Sequence, residues 1–186
     1  MKPKLLLLDG VPGIGKTTLA RRYCDEHPLA LNLDIDTLWH MMGQWQASRP
    51  QSETQKMKYA YALAALHLAD GFDVIVPNLM ESTEHYDRFE RIADACGAAL
   101  YEFVLLAPLE DGIERCKTRA RNMGYEDGFR PGGILDTSGR EKKLTDMYHS
   151  MMAITATRPD IIRIRSVEGQ IDETYQLIMD NIRWNV

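Results

Sequence analysis

The chain has 186 residues, 45% hydrophobic and 26% charged, and 22 Lys and Arg against 27 Asp and Glu give a formal net charge of −5. These proportions describe a globular protein with room for a real core, and they exclude a collagen-like repeat or a disordered tail. A mildly acidic chain lacks the overall field of a dedicated duplex-DNA binder, so nucleic acid is disfavoured as a partner, although a local basic groove stays open.

The early apolar run at 5–8 ends at Asp9 and is too short for a membrane span or the apolar region of a signal peptide. Cys24, Cys96 and Cys116 are odd in number and lack metal-type spacing. The expectation is a reduced, cytoplasmic protein with no membrane partner.

Short apolar runs alternate with longer stretches of helical period. In chain order, strands are predicted at 4–8, 30–35, 73–76, 99–106 and 160–164, each nearly continuous as in a parallel sheet covered on both faces. Between them, Met57, Ala60, Tyr61, Ala64 and Leu68 form one helical stripe, with Ser52 and Gln55 as a capping box and Gly71 as a stop. Ser82 is placed to cap a helix through Phe89 and Ile92 that ends near Gly97, and Pro108 suits the first turn of a helix carrying Ile113 and Cys116. Strand and helix in alternation imply right-handed crossovers and an α/β doubly wound sheet. Residues 122–139 hold five glycines and little periodicity, which suits a mobile functional segment. The reading is a single domain over 1–186 with a lid-like segment at about 115–140.

Gly10-Val-Pro-Gly-Ile-Gly15-Lys16-Thr17 matches G-x-x-x-x-G-K-[ST] in full, after a predicted strand and before a predicted helix. Glycines let backbone N–H groups approach phosphate oxygens, and the helix start adds positive potential. The expected nucleotide cradle is therefore Gly10, Val11, Pro12, Gly13, Ile14, Gly15, Lys16, Thr17 and Thr18. Lys16 is expected to bridge the outer phosphates of ATP, and the Thr17 hydroxyl to ligate Mg²⁺.

Asp34 and Asp36 fall at the carboxyl end of the second predicted strand, expected to lie beside the first, where ligands bind in α/β sheets. Two residues apart on a strand, both carboxylates can face one site. Asp36 can equally be the N-cap of a helix starting at Thr37. Arg115, Arg119 and Arg121 follow the Ala107-Pro108 element, and the first two share a helix face.

The Gly10–Thr17 loop, Leu33-Asp34-Ile35-Asp36 and the stretch from Leu106-Ala107-Pro108-Leu109-Glu110 to Arg121 together resemble the small P-loop kinases of the nucleoside-monophosphate-kinase-like group. Chloramphenicol phosphotransferase, shikimate kinase, zeta-toxin-type kinases and the polynucleotide kinase domain are the similar members. The resemblance implies a P-loop NTPase fold with a five-stranded parallel sheet, helices on both faces and a mobile lid. It implies ATP- and Mg²⁺-dependent phosphoryl transfer to a hydroxyl of a small molecule. Asp36 would be the acceptor's base and Asp34 a support for Mg²⁺ through water. Arg119 and Arg121 would be lid arginines on the moving group, Arg115 a further nucleotide contact, and the turn at 166–169 the seat of adenine.

One departure stands out: Pro77-Asn78 occupies the strand end where related kinases often carry an aspartate. Asn78 and Arg88 are left as candidate acceptor contacts. Trp39, Met42 and Trp45 follow the proposed base and read either as core or as an apolar bed for a nucleoside, nucleotide or antibiotic-like alcohol. A nucleic-acid end as acceptor and a nucleotide-responsive switch ATPase are the alternatives. Oligomeric state is left open by the sequence.

Overall fold

The computed structural model describes residues 2–124 and 140–184, without the side chains of Arg119, Arg140, Glu141, Arg183 and Trp184. Within them the chain runs β1 (Lys4–Asp9), α1 (Lys16–Glu26), β2 (Leu31–Asn32), a 3₁₀ helix (Ile35–Met41), α2 (Arg49–Ala69) and β3 (Val74–Pro77). It continues with α3 (Thr83–Ala95), β4 (Ala99–Leu106), α4 (Leu109–Asn122), α5 (Arg140–Ala156), β5 (Ile162–Arg165) and α6 (Ile171–Trp184). Among the described residues no helix is long and apolar enough to cross a membrane.

The strands form one parallel sheet in the order β2-β3-β1-β4-β5. Leu5 to Leu8 are wholly buried, which is why this run takes the central place: helices must cover it on both faces. Burying each leucine is worth roughly 2 kcal/mol relative to leaving it exposed. Right-handed crossovers then put α1 on one face and α2, α3 and α5 on the other. α6 joins α1, since Arg22 pairs with Asp172 and lies 4.2 Å over the Tyr175 ring.

The second strand does not lie beside the first. β3 comes between them, pairing Leu5 with Val74 and Leu31 with the same Val74 from the other side. The reason is burial: Val74 to Pro77 are all buried and suit an interior strand, whereas Leu31 and Asn32 are only half-buried and suit an edge. The chain therefore leaves β1 in one direction and reaches β4 in the other, which opens a crevice at the carboxyl end of β1.

Helix starts differ from expectation as well. α2 begins at Arg49, with Pro50 in its first turn, so Ser52 is not the cap. Its hydroxyl instead donates to the carbonyls of Trp45 and Arg49. Ser82 does hold the N-cap position of α3 but makes no side-chain cap bond there. The stripe on α2 is buried as its spacing requires, at Met57, Ala60, Ala64 and Leu68, and the chain turns at Gly71 with φ +88°.

Candidate active site

The loop after β1 occupies the crevice. Gly10 and Gly13 have φ of +150° and +85°, and neither has room for a Cβ. One at Gly10 would sit 2.8 Å from Ile14 Cγ2, and one at Gly13 would sit 2.9 Å from Cys116 Sγ and 3.1 Å from the Gly112 carbonyl. α4 is thus packed directly against the loop. The β5–α6 turn closes on it too, since the Ser166 hydroxyl donates to the Ile14 carbonyl at 2.9 Å. Gly15 is the N-cap of α1 and offers its first-turn amides no side-chain acceptor, so they suit an incoming anion. Lys16 Nζ donates to the carbonyls of Gly10 and Val11, the latter at 3.0 Å. Thr17 is half-buried beside it and Thr18 is exposed.

Asp34 and Asp36 are not neighbours on a strand. β2 ends at Asn32, and Asp34 is the N-cap of the 3₁₀ helix, its Oδ1 accepting the Asp36 N–H at 3.2 Å. Asp34, not Asp36, therefore takes the cap. Burial pushes the Asp34 carboxyl up from its ordinary value, the Asp36 charge adds to the rise, and Lys16 and Arg21 oppose it.

The acidic pair has a cation that the sequence did not suggest. Lys56, buried on α2, donates to Asp36 Oδ1 at 3.1 Å and to Glu53 Oε1 at 2.9 Å. Its ammonium lies 3.3 Å from the centroid of the Trp39 ring, a close cation–π contact. Trp39 stacks on Trp45 at 5.1 Å, Arg49 lies over both rings, and the buried Trp39 Nε1 has no protein acceptor. Trp39 is thus buried, while Met42 and Trp45 are half-buried.

On α4, Arg115 lies against the loop side, with its Nε 3.8 Å from Glu168 in the β5–α6 turn. Its buried Nε and Nη2 make no hydrogen bond, so the guanidinium has unspent donors next to the cradle. Arg121 points elsewhere, pairing with Glu114 at 2.9 Å on an exposed part of the helix. The Arg119 side chain and residues 125–139 of the expected lid lie outside the described residues. Asn78 is tied by its N–H to the Leu8 carbonyl at 3.2 Å, at the end of β1, whereas Arg88 is exposed on α3 with its guanidinium 5.8 Å from the Tyr61 ring. The structure therefore brings Asn78 to the carboxyl end of β1 and sets Arg88 on an exposed part of α3.

Sequence reasoning passed over Asp9. It is wholly buried and accepts N–H groups from Gly10 and Met80 and the hydroxyl of Tyr86. The signal was available, since an acid ending a four-leucine run immediately before the glycine loop breaks the apolar pattern. Lys56 carried no such signal, being 20 positions from its partner. A cleft of about 220 Å³ opens between the β3–α3 connection and α5, lined by Leu79, Met80, Glu81, Lys143, Asp146, Met147, Ser150 and Met151.

A five-stranded parallel sheet in this order, with a Gly10–Thr17 loop clasped at its centre, defines a P-loop NTPase fold of the small-kinase type. The chain belongs to the AAA domain family, whose sequence pattern matches residues 5–130. No curated protein matches the chain.

Solved structures similar to it include a candidate kinase from Chloroflexus aurantiacus, at 14% identity and TM-score 0.67, covering 97% of this chain and 98% of that one. The APS kinase CysC of Mycobacterium tuberculosis, in complex with AMPPNP and APS, aligns at 20% identity and TM-score 0.57 over 98% of each chain. A chain of the Pnkp1/Rnl/Hen1 RNA repair complex aligns at 19% identity and TM-score 0.65. That match covers 85% of this chain but only 47% of the other, so the protein spans about half of that relative's length.

Proposed function

We propose that the protein is an ATP-dependent kinase that transfers the γ-phosphoryl group to a hydroxyl of a small molecule. The observation that carries this reading is the pairing of two features across one crevice. A glycine loop with no room for a Cβ at Gly10 or Gly13 holds Lys16 against its carbonyls, and Asp34, whose carboxylate feels the Lys16 charge, is bonded to the Asp36 N–H at the start of the 3₁₀ helix.

Each residue then has a task. The loop amides and the start of α1 take the phosphates, and Lys16 leaves its resting carbonyls for the phosphate oxygens. Asp36 accepts the proton of the acceptor hydroxyl as the acceptor oxygen bonds to the γ-phosphorus. The bond from that phosphorus to the bridging oxygen breaks, and ADP leaves. Arg115 places its unspent donors on the nucleotide, where they add positive charge beside the phosphates.

The Thr17 hydroxyl and the Asp34 carboxylate are hard oxygen donors of the kind Mg²⁺ takes when it arrives on a nucleotide, and the described residues hold no cluster of three or more ligands for a resident ion. Bound there, Mg²⁺ would neutralise charge on the phosphates.

The Trp39–Trp45 stack, with Arg49 above it, adjoins the proposed base through Lys56 and favours an acceptor with a planar body, such as a nucleoside or nucleotide. The same platform would suit a base at a nucleic-acid end. A panel of nucleosides, nucleotides, antibiotic alcohols and 5′-hydroxyl oligonucleotides incubated with γ-labelled ATP tests the reading. A labelled small-molecule product supports it. Label passing only to oligonucleotides, with steep loss of activity on adding salt, replaces it with the nucleic-acid reading. Hydrolysis of ATP with no labelled product from any acceptor overturns both.

A further inference from the structure

Asp9 takes no part in the chemistry above, yet it occupies the most expensive position in the site. A lone carboxylate at the end of a buried strand must be desolvated, and here it lies beneath a loop built to receive anions, whose charge it repels. A valine or isoleucine would complete the apolar run without either penalty.

Both carboxylate oxygens are engaged. Oδ1 accepts the Gly10 N–H at 2.6 Å and the Met80 N–H at 3.3 Å, and Oδ2 accepts the Tyr86 hydroxyl. Tyr86 is itself held from behind. Arg158 lies 4.9 Å from its ring centroid and is anchored to Glu102 at 2.6 Å, Asp87 at 2.9 Å and Glu90 at 3.2 Å. Three separate pieces of chain thus converge on one group: the first amide of the loop, the β3–α3 connection and α3.

We propose that Asp9 is a positioning residue of the nucleotide site, its carboxylate fixing the Gly10 peptide at the mouth of the loop and tying it to Met80 and Tyr86. With that N–H drawn inward, the φ of +150° at Gly10 directs the following carbonyl, on which the Lys16 ammonium rests. Met80 also lines the cleft against α5, with Leu79, Met147 and Met151. One buried group therefore holds both the start of the phosphate cradle and a wall of the neighbouring cleft. Burial pushes the Asp9 carboxyl up from its ordinary value, and the Tyr86 hydroxyl, the Lys16 charge and the N–H groups of Gly10 and Met80 oppose the rise.

The inference rests on the reading of Gly10–Thr17 as a nucleotide cradle, and calorimetric titration with Mg²⁺ and AMPPNP separates the two. If the wild-type chain does not bind, the cradle reading fails and takes this inference with it. If it binds, Asp9→Ala is expected to weaken affinity about tenfold or more, because two N–H groups and a hydroxyl lose their acceptor. Asp9→Asn is expected to stay within about threefold of wild type, since its amide oxygen still accepts both N–H groups. Should Asp9→Ala fail to fold, Tyr86→Phe decides: it keeps the packing, frees one carboxylate oxygen, and is expected to weaken affinity by about two- to fivefold. Folded Asp9→Ala that binds as wild type, Asp9→Asn as weak as Asp9→Ala, or Tyr86→Phe with unchanged affinity overturns the assignment.

Discussion

The two halves of the crevice are built on different principles. The side proposed for phosphate is local and crowded: six residues, 10–15, turn from β1 into α1, with Ile14 and Leu105 filling the space at Gly10, α4 filling it at Gly13, and the β5–α6 turn bonded to Ile14. The side proposed for the acceptor is assembled at long range and left open. There an exposed Asp36 on a 3₁₀ helix is held by Lys56 from α2, and the exposed Arg49 lies over two stacked indoles. A phosphate chain is common to many reactions and suits a fixed cradle, whereas the group that accepts the phosphoryl differs between enzymes and suits a surface made of exchangeable side chains.

The sharpest way to break this contrast is to remove a group on each side. Lys16→Ala is expected to lower transfer by about a hundredfold or more, through loss of charge on the moving phosphoryl, read as labelled product from γ-labelled ATP. Asp36→Asn should lower turnover by a comparable factor while leaving the Mg²⁺–AMPPNP affinity within about twofold, since it lies on the acceptor side only. If Asp36→Asn weakens nucleotide binding as much as turnover, the two sides are not separable.

Packing gives the next effect. Gly13→Ala forces a methyl group against Cys116 Sγ and the Gly112 carbonyl and is expected to cost about 1–3 kcal/mol of stability, measured by denaturant titration. Lys56→Met should cost less, about 1 kcal/mol or below, because both carboxylates it leaves behind are substantially exposed. Its mark should appear in transfer rate rather than in Tm, with Lys56→Arg recovering part of the loss.

The smallest expected effect is a pH dependence. The Asp9 carboxyl is raised in the folded chain, so its contribution to stability is full below the ordinary carboxylate range and is lost as pH rises through the raised value. The Tm of wild type minus that of Asp9→Asn should therefore fall as pH rises from 4 toward neutrality. A difference that grows over that interval contradicts the raised value.

The same contrast explains what the sequence could and could not disclose. The Gly10–Thr17 loop is one contiguous pattern between a buried run and a helix, so its place in the chain followed from spacing alone, while its packing against α4 and the β5–α6 turn did not. The order of the strands did not, because β3 displaces β2 from β1 through burial that appears only when the sheet is assembled. Asp34 and Asp36 were expected to share one face of a strand, which fails because the backbone turns at Asp34 to start a 3₁₀ helix. Lys56 and Arg158 were invisible for a related reason: each meets its partners across elements that no local period connects.

A crystal structure with Mg²⁺ and AMPPNP tests the central claim most directly. The account predicts the triphosphate within the amides of 10–17, Lys16 moved from the Gly10 and Val11 carbonyls onto phosphate oxygens, and the γ-phosphorus facing Asp36. Nucleotide bound elsewhere, or bound in the loop with its γ-phosphate directed away from Asp36, would contradict it.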